Sequence, residues 1–567
     1  MMIIASLFTT LILALAAAKD ITYSVIIVPE EQQTVAVVVD QRPYTLQPSS
    51  ASSLLYTGKA PAATQGYYYS KLAGDQVVEK EGFMRSAIET DTPNEFYNRS
   101  WNSATVSSLP TLLSPLSLIN HTDLSPHLKN EIVTYHFEAD QDQINQMHQH
   151  PVTNTVKVRG TMTRITLSEI RKFTDVEMQL SGHGTRSLSK HSYKFKLPKQ
   201  QMLAGYRHLK LRSLALDPSY IRERMSYDIF KSAGIASTDC SYVRVFMNKR
   251  AYGLYGLVEV YKKPWIENEF YAGQKHAAYG ILYEGRAVRL FVTQRATLAY
   301  RGDDQKLYAD GAYKIDVKPS EGQPADYTRL MELTKFLANA PLTGSGVAEE
   351  WERHIDTESI IRNMALEITL GLSDNYITSS YNYFLYDYCQ RQKFIYIPTD
   401  TEFSFGSSTF NVPAVWEAKY QQFPGMAQKP PLVTKLLQVP QFKQAFEYLL
   451  VKICKDIFDP DVINPYIDSV VDMIREDVTW DQSLPRAPNE DKLEDLVSKV
   501  TSAKPEHVLP PYTIDSYIDL LSRAIPTRSM PLDQAVKGPT GHVSVVGVKE
   551  WMYHRRRALL QQLDSSE

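Results

Sequence analysis

Residues 374–406 have the sequence DNYITSSYNYFLYDYCQRQKFIYIPTDTEFSFG, and the fold that we predict for this chain is based on this stretch. Residues 383–386 and 394–397 are aromatic and β-branched, which predicts two short buried strands joined by a polar turn. Such a hairpin places Asn382 at the start of one strand and Asp400 just after the end of the other, so both side chains can reach one point. Mg²⁺ takes oxygen ligands, typically one or two carboxylates together with phosphate oxygens. The stretch therefore predicts a site for a magnesium nucleotide.

An apolar helix is predicted just before this stretch, over residues 360–370, with Asp356 or Thr357 as its N-cap. Asp374 follows the helix in a loop. The order of helix, loop acid, strand amide, strand and second acid is that of the catalytic and metal-binding loops of protein kinases. The signature of ordinary kinases is absent, because no His-Arg-Asp precedes Asp374 and Thr-Glu follows the second acid where Phe-Gly is expected.

This pattern resembles the spore-coat CotH kinase family, a group of atypical kinases. Residues 382–386 (NYFLY) and 397–406 (IPTDTEFSFG) are similar to the family's Asn-Tyr-Phe-Leu-Tyr strand and to its Ile-Pro-Trp-Asp-Phe-Asp-Trp-Ser-Phe-Gly segment. Thr399 stands in place of the first Trp, and Glu402 stands in place of the second Asp. Further blocks carry the resemblance in the same order within residues 131–563: they are residues 182–197, 217–228 and 243–259.

The resemblance implies an α+β fold class, namely an atypical two-lobed protein-kinase-like domain that uses ATP with Mg²⁺ or Mn²⁺. It implies that Asp374 orients or deprotonates the acceptor hydroxyl. It also implies that the metal is held by Asn382 and Asp400, with Glu402 as a further ligand. The longer side chain of Glu402 leaves the role of the second acid open.

A lysine-rich segment at residues 192–197 alternates between apolar and polar residues, which is the period of a half-buried strand. The residues alone allow two interpretations: a solvent-facing strand that its lysines keep soluble, or a strand that binds phosphate. The resemblance implies that a lysine here binds the α- and β-phosphates, and we choose Lys194 over Lys190 and Lys196. Arg186, in the loop that precedes this strand, is a further predicted nucleotide-binding residue.

Residues 217–233 are predicted to form a helix that Asp217 or Ser219 caps. In kinases an acid on the corresponding helix pairs with the phosphate-binding lysine. Glu223 and Asp228 are both candidates for that acid, and the alternative is a surface ion pair between Arg224 and Asp228.

Glu259 ends the block over residues 243–259, which resembles the hairpin and hinge of the CotH family. It is predicted to contribute contacts to the adenine. A buried structural acid is the alternative.

Composition and turn signals indicate how the chain is divided. With 567 residues, 43% apolar and 22% charged, it can form two or three domains. Residues 19–102 show short strands at regular spacing, which predicts a small N-terminal Ig-like β-sandwich. A Ser-, Pro- and Leu-rich linker is expected over residues 103–130, followed by the CotH kinase-like domain over residues 131–567.

Residues 1–18 are apolar and end in Ala-Ala-Ala, which predicts a signal peptide, with an uncleaved anchor as the alternative. Glycosylation sequons at Asn98 and Asn120 are compatible with the secretory pathway and a secreted or cell-surface location. No later apolar run is long enough to cross a bilayer, and a net charge of −3 gives no electrostatic case for a nucleic-acid partner. Three cysteines allow at most one disulfide.

Two functions from different classes remain open. The first is an ATP- and metal-dependent protein kinase that phosphorylates protein substrates of the secretory pathway or the cell surface. The second is a non-catalytic surface ligand for a host-cell receptor, because the resemblance includes CotH proteins of mucor-group moulds that are implicated in host-cell attachment and invasion. Retention of both acids and the amide favours the enzyme.

Overall fold

In the computed structural model, residues 19–182, 184–286, 295–408, 410–486, 513–523 and 530–564 are described. The predicted signal peptide, residues 1–18, lies outside the described residues. The chain forms two compact units: one holds the residues up to Asn102 together with Ile165–Ile170, and the other holds Ser103–Arg164 and the chain from Arg171 onward. Helices and sheets are both present, so the fold is mixed α+β, as predicted.

The strands of the smaller unit hydrogen-bond into one sheet with the order β6-β5-β2-β3-β4-β1-β7. In chain order they are β1 Asp20–Ile26, β2 Gln33–Val39, β3 Arg42–Ser49, β4 Ser52–Pro61, β5 Tyr67–Ala73, β6 Gln76–Lys80 and β7 Glu95–Phe96. Alternate residues of three strands, such as Tyr23, Val37 and Tyr69, are fully buried and form the core of this unit. The strand β3 was not predicted because Pro43 and Pro48 interrupt its pattern.

The larger unit begins with a closed barrel whose strand order is β10-β11-β12-β14-β13-β8-β9. Its strands are β8 Val133–Glu138, β9 Lys157–Ile165, β10 Ile170–Ser181, β11 Ser192–Lys196, β12 His208–Arg212, β13 Cys240–Met247 and β14 Arg250–Glu259. Two helices interrupt them, α1 Gln141–His148 and α2 Arg222–Ser232. The predicted alternation in β11 is confirmed: Tyr193 and Phe195 are buried, whereas Lys194 is exposed.

A second sheet of the larger unit has the order β16-β15-β17-β18. Its strands are β15 Leu282–Gly285, β16 Tyr313–Val317, β17 Tyr383–Tyr388 and β18 Lys393–Pro398. The antiparallel pair β17 and β18 confirms the predicted hairpin, with each strand slightly longer than expected. Tyr383 pairs with Pro398, so the residues just before β17 and just after β18 are neighbours.

The other helices of the larger unit are α3 Lys263–Phe270, α4 Thr328–Asn339, α5 Val347–His354, α6 Thr357–Leu370, α7 Tyr376–Ser379, α8 Pro431–Leu436, α9 Pro440–Asp456, α10 Pro460–Ser483, α11 Ile514–Arg523, α12 Leu532–Lys537 and α13 Val548–Leu563. The predicted cap of α6 is confirmed, because the carboxylate of Asp356 accepts from Ser359 N at 2.8 Å. The helix α6 packs against α9, α13 and β18, which fixes the position of the loop that follows it. Within the described ranges, no helix combines the length and apolar character needed to span a bilayer.

The helix α2 begins at Arg222 and not at residue 217, so its predicted start is wrong. Asp217 instead organises a turn: its carboxylate accepts from Ser219 N and from Arg222 N, both at 2.9 Å. The helix surface that was predicted to be polar is buried, including Arg224 and its neighbours. Packing against the barrel strand β13 therefore overrides the pattern.

Residues 103–130, predicted to be a linker, lie in the larger unit and pack onto it. Leu112 and Leu116 are buried, and their backbone N–H groups donate to Ser232 O and Gly234 O at 2.9 Å. The side chains of this segment thus contribute to the core of the larger unit.

Candidate active site

A cleft of about 430 Å³ lies between the barrel and the second sheet of the larger unit. Its barrel wall is formed by β10, β11, β12 and β14, and the opposite wall by β15, β16 and the two ends of the β17–β18 hairpin. Lys194, Glu223, Glu259, Asn382 and Asp400, all predicted to be site residues, border this one cavity. Its volume lies within the range of about 300–1,000 Å³ that is usual for small-molecule sites.

Cationic side chains cover the barrel wall of the cleft. Lys194 of β11 lies directly opposite Lys210 of β12, and Lys196 lies opposite His208. Among the described residues, neither Lys194 nor Lys210 has an acid partner within ion-pair distance. Partial desolvation in the cleft, reinforced by neighbouring cations, lowers the pKa of both lysines. This wall is therefore arranged to receive an anion.

The opposite wall presents Asn382 and Asp400 at the two ends of the hairpin, and Asp374, which does not line the cleft, is bonded to Asn382. The side-chain amide of Asn382 donates to Asp374 Oδ2 at 2.9 Å, whereas Asp374 Oδ1 is buried and has no hydrogen-bond partner. Asn382 and Asp400 both have a φ of 55°, in the left-handed region that Asn and Asp tolerate better than most residues. Such backbone conformations cluster at functional sites, where they aim particular side chains.

The ends of the hairpin are tied together by Asn375. Its side-chain amide donates to Asn382 O at 2.9 Å and to Thr399 O at 3.0 Å. Asn375 is fully buried, so these bonds are shielded from water. The spacing between Asn382 and Asp400 thus depends on a residue in the loop that follows α6.

Arg212, at the end of β12, joins the two walls. Its Nε donates to Glu223 Oε2 at 2.8 Å, and its Nη2 contacts both Asp400 Oδ1 and Glu402 Oε2, the latter at 3.2 Å. The guanidinium is buried, whereas about a third of the Asp400 side chain is exposed to the cleft. One cation therefore serves three carboxylates.

The carboxylates of this cluster differ in acidity. Burial and the negative charges of Asp400 and Glu402 raise the pKa of Asp374 well above its ordinary value. Burial raises the pKa of Glu402 to about 7. Burial alone would also raise the pKa of Asp400, but Arg212 and Lys210 lower it below the usual range. Asp400 is therefore the most acidic of these three carboxyl groups.

Two other predicted residues have protein partners. The carboxylate of Glu259 accepts from Asp239 N at 2.9 Å and lies 3.1 Å from His127 Nε2, as expected for a buried structural acid. Arg186 donates to Asn154 O at 2.7 Å and to Leu180 O at 3.0 Å, and it does not border the cleft.

Lys190 and Asp228, the alternatives to Lys194 and Glu223, also have protein partners. Lys190 is buried and pairs with Asp481 at 2.8 Å. Asp228 pairs with Lys129 at 2.8 Å and with Arg224 at 3.5 Å, and Arg224 is buried, so the pair is not a surface one.

Lys210 and Arg212 were missed by the sequence reasoning. Residues 208–212 alternate between polar and apolar side chains immediately before the turn that leads into α2. That alternation predicts a half-buried strand, and its polar face carries both cations. The alternating pattern was therefore present in the sequence, but the phosphate-binding role was predicted for the segment around Lys194, which contains more lysines.

The residues at this end of the hairpin supply oxygen ligands for a divalent metal, but they do not form a complete metal site. Asn382 and Asp400 are oxygen-bearing side chains at the same end of the hairpin, and Glu402 contacts the same Arg212 nitrogen as Asp400. In the described part of the chain, no three His, Cys, Asp or Glu side chains form a metal site by themselves. Two carboxylates and an amide completed by phosphate oxygens match the preference of Mg²⁺.

In this mixed α+β protein, a barrel wall that bears Lys194 and Lys210 faces Asn382 and Asp400 across a cleft. Comparison with protein families identifies its class. The family model described as CotH kinase protein matches residues 178–500, which include most of the residues that line the cleft. The chain belongs to the CotH family.

Characterised relatives come from moulds and from bacteria. Spore coat protein homolog 1 of Rhizopus delemar is 24% identical over 464 residues, which cover 81% of this chain and 72% of the relative. Invasin CotH3 of the same organism is 24% identical over 482 residues, covering 83% and 77%. Inner spore coat protein H of Bacillus subtilis is 22% identical over 311 residues, covering 55% and 80%.

Proposed function

We propose that this protein is an atypical protein kinase that transfers the γ-phosphoryl group of ATP to a protein hydroxyl. One observation carries the proposal: lysines without acid partners line one wall of a cleft whose other wall presents Asn382 and Asp400, with Asp374 hydrogen-bonded to Asn382. The unpaired lysines suit the phosphate chain, and the acids suit a metal ion and a proton acceptor.

The order of elements supports a two-lobed kinase-like architecture. In kinases the phosphate-binding lysine is on the third strand of the small lobe, and the acid that pairs with it is on the next helix. Here β12 carries Lys210 and is the third strand of the run β10, β11, β12, and α2, which follows it, carries Glu223. We therefore extend the phosphate-binding role from Lys194 to Lys210. The two lysines lie opposite each other, so both can contact one phosphate chain.

In the proposed reaction the acceptor hydroxyl oxygen forms a bond to the γ-phosphorus. The bond from that phosphorus to the bridging oxygen breaks, and ADP leaves. The carboxylate of Asp374 takes the proton of the acceptor, while Asn382 donates to its other oxygen and holds its orientation. Asn382, Asp400 and Glu402 would hold Mg²⁺ or Mn²⁺, which neutralises phosphate charge when it is bound.

Purified protein incubated with γ-labelled ATP and either Mg²⁺ or Mn²⁺ tests the proposal. Label transfer to the protein itself or to an added protein substrate, absent in Asp374→Asn, is the expected result. Nucleotide binding without any transfer would assign the protein to the pseudokinases and overturn the catalytic role.

A surface-ligand function is a second candidate, and the relatives support it. Invasin CotH3 aligns over 83% of this chain, a greater length than the residues that the family model matches. On this view the protein is secreted or displayed at a cell surface and binds a host-cell receptor. The exposed sequon asparagines, Asn98 and Asn120, are accessible for the glycosylation that this route would bring. Binding of purified protein to host cells, compared between wild type and Asp400→Asn, separates this function from the cleft chemistry.

A further inference from the structure

We propose that Arg212 is an internal counter-ion that occupies the metal-binding carboxylates until a divalent metal enters with the nucleotide. On its release, Glu223 becomes free to pair with Lys210. This role for Arg212 rests on the proposed function and adds an autoinhibitory contact to it.

The contacts of Arg212 distinguish it from the other buried arginines of the larger unit. Arg222 pairs with a single acid, Asp217, and does not border the cleft cavity that Arg212 borders. Arg212 contacts three carboxylates, which come from the helix α2 and from the loop after β18. Two of these carboxylates, Asp400 and Glu402, are the acids assigned to the metal. The guanidinium therefore lies where a bound cation would act.

The charges of the cluster favour exchange of Arg212 for a metal. Glu223, Asp400 and Glu402 share the single guanidinium of Arg212, and Lys210 is a second cation that acts on them. The cluster is therefore short of positive charge. A divalent ion supplies two charges at the same carboxylates. Nucleotide phosphates would in turn offer the displaced guanidinium a bidentate partner.

The lysine that would take over Glu223 is already in place. Lys210 lies two residues before Arg212 on β12, so both side chains project from the same face of the strand. Lys210 acts electrostatically on Glu223 but forms no ion pair with it in this structure. Release of Arg212 thus converts the arrangement seen here into the lysine–glutamate pair that kinases use.

Binding of Mn²⁺ without nucleotide, followed by the electron paramagnetic resonance of free Mn²⁺, tests the proposal on the full chain. We expect Arg212→Gln to bind Mn²⁺ more tightly than wild type by about tenfold or more, because the competing charge is gone. Arg207→Gln is the matched control, since it removes one positive charge at the opposite end of β12 from a side chain that bonds Leu197 O. Its Mn²⁺ affinity is expected to stay within roughly twofold of wild type.

Suppose that the wild type binds Mn²⁺ in the presence of ATP and that Arg212→Gln binds Mn²⁺ no more tightly than the wild type. This result overturns the counter-ion role of Arg212 but leaves the proposed kinase function standing. Absence of Mn²⁺ binding by wild type, with or without ATP, overturns both. If Arg212→Gln does not fold, the arginine Nε–Hε resonance of Arg212 in wild type, assigned with Arg212→Lys, replaces it as the readout. A shift of this resonance on addition of Mg²⁺ and ATP supports release, and its invariance at saturation overturns it.

Discussion

Asn382 donates its side-chain amide to Asp374 Oδ2 at 2.9 Å and leaves the other oxygen of that carboxylate buried without a donor. The Asp374 carboxylate thus has one oxygen that accepts a hydrogen bond and one buried oxygen that accepts none. A hydrogen bond to one carboxylate oxygen fixes the orientation of the other, which a proton acceptor requires because a freely rotating carboxylate would lose catalytic geometry.

We predict that Asp374→Asn slows phosphoryl transfer by about 10²- to 10⁴-fold, the range usual for loss of a general base. The affinity for ATP should change much less, because the proposed partner of Asp374 is the acceptor hydroxyl. Single-turnover transfer and calorimetric ATP binding, measured on the same preparation, check both parts. An equal loss of transfer and of metal-dependent binding would move Asp374 into the metal shell.

Asp400→Asn is expected to abolish the metal-dependent part of ATP binding while leaving the fold intact. An amide keeps the size of the side chain but loses the charge that attracts the metal. ATP titrations with and without Mg²⁺ provide the measurement. Asp472→Asn, at a position whose side chain is 72% exposed, is the control. Unchanged Mg²⁺ dependence in Asp400→Asn would show that the metal ligands lie elsewhere.

Lys210→Met and Lys194→Met separate the two phosphate-binding candidates. We expect Lys210→Met to reduce kcat/KM for ATP at least about tenfold more than Lys194→Met, because Lys210 is the lysine next to Glu223 and Arg212. Methionine preserves the apolar stem of each side chain. The reverse ranking would restore Lys194 as the principal phosphate ligand.

The segment over residues 103–130 gives a prediction about stability. Leu116→Ala should lower the free energy of unfolding by about 2–4 kcal/mol, because it opens a cavity at a buried position. Leu124→Ala in the same segment should change it by less than about 0.5 kcal/mol, since Leu124 is 57% exposed. Denaturant titrations of the full chain decide this. Equal, small effects would mean that the segment is a free linker.

Glu367 gives a pH dependence of stability. It lies on α6 and accepts from Tyr396 Oη at 2.8 Å and from Ile377 N at 2.9 Å, and burial raises its pKa from 4.5 to about 7. Between these values the unfolded chain releases the proton and the folded chain keeps it, so stability falls as pH rises. The slope from this group is at most about 1.4 kcal/mol per pH unit.

Glu367→Gln should remove that decline, so the difference in unfolding free energy between variant and wild type should grow in favour of the variant from pH 5 to pH 7. Thermal or urea unfolding at several pH values measures it. Glu332→Gln, at a position whose side chain is 50% exposed, is the control. A difference that does not vary with pH would show that Glu367 has an ordinary acidity in the folded protein.

The local features of this protein could be predicted from its sequence. The hairpin of β17 and β18, the Asp356 cap of α6 and the alternation of β11 were all predicted, because each depends on neighbours within a few residues. The order of these blocks also carried the family resemblance, which the comparisons confirm.

The pairing of charged side chains from distant parts of the chain could be seen only in the tertiary structure. Arg212 and Asp400 are 188 residues apart in the chain, and no local pattern links them. Glu223, one of two candidates for the acid that pairs with the phosphate-binding lysine, pairs with Arg212, and the polar side of α2 is buried because β13 packs there. Side-chain partners across such distances are selected by strand order and packing, whose energetic consequences appear only when the whole unit has folded.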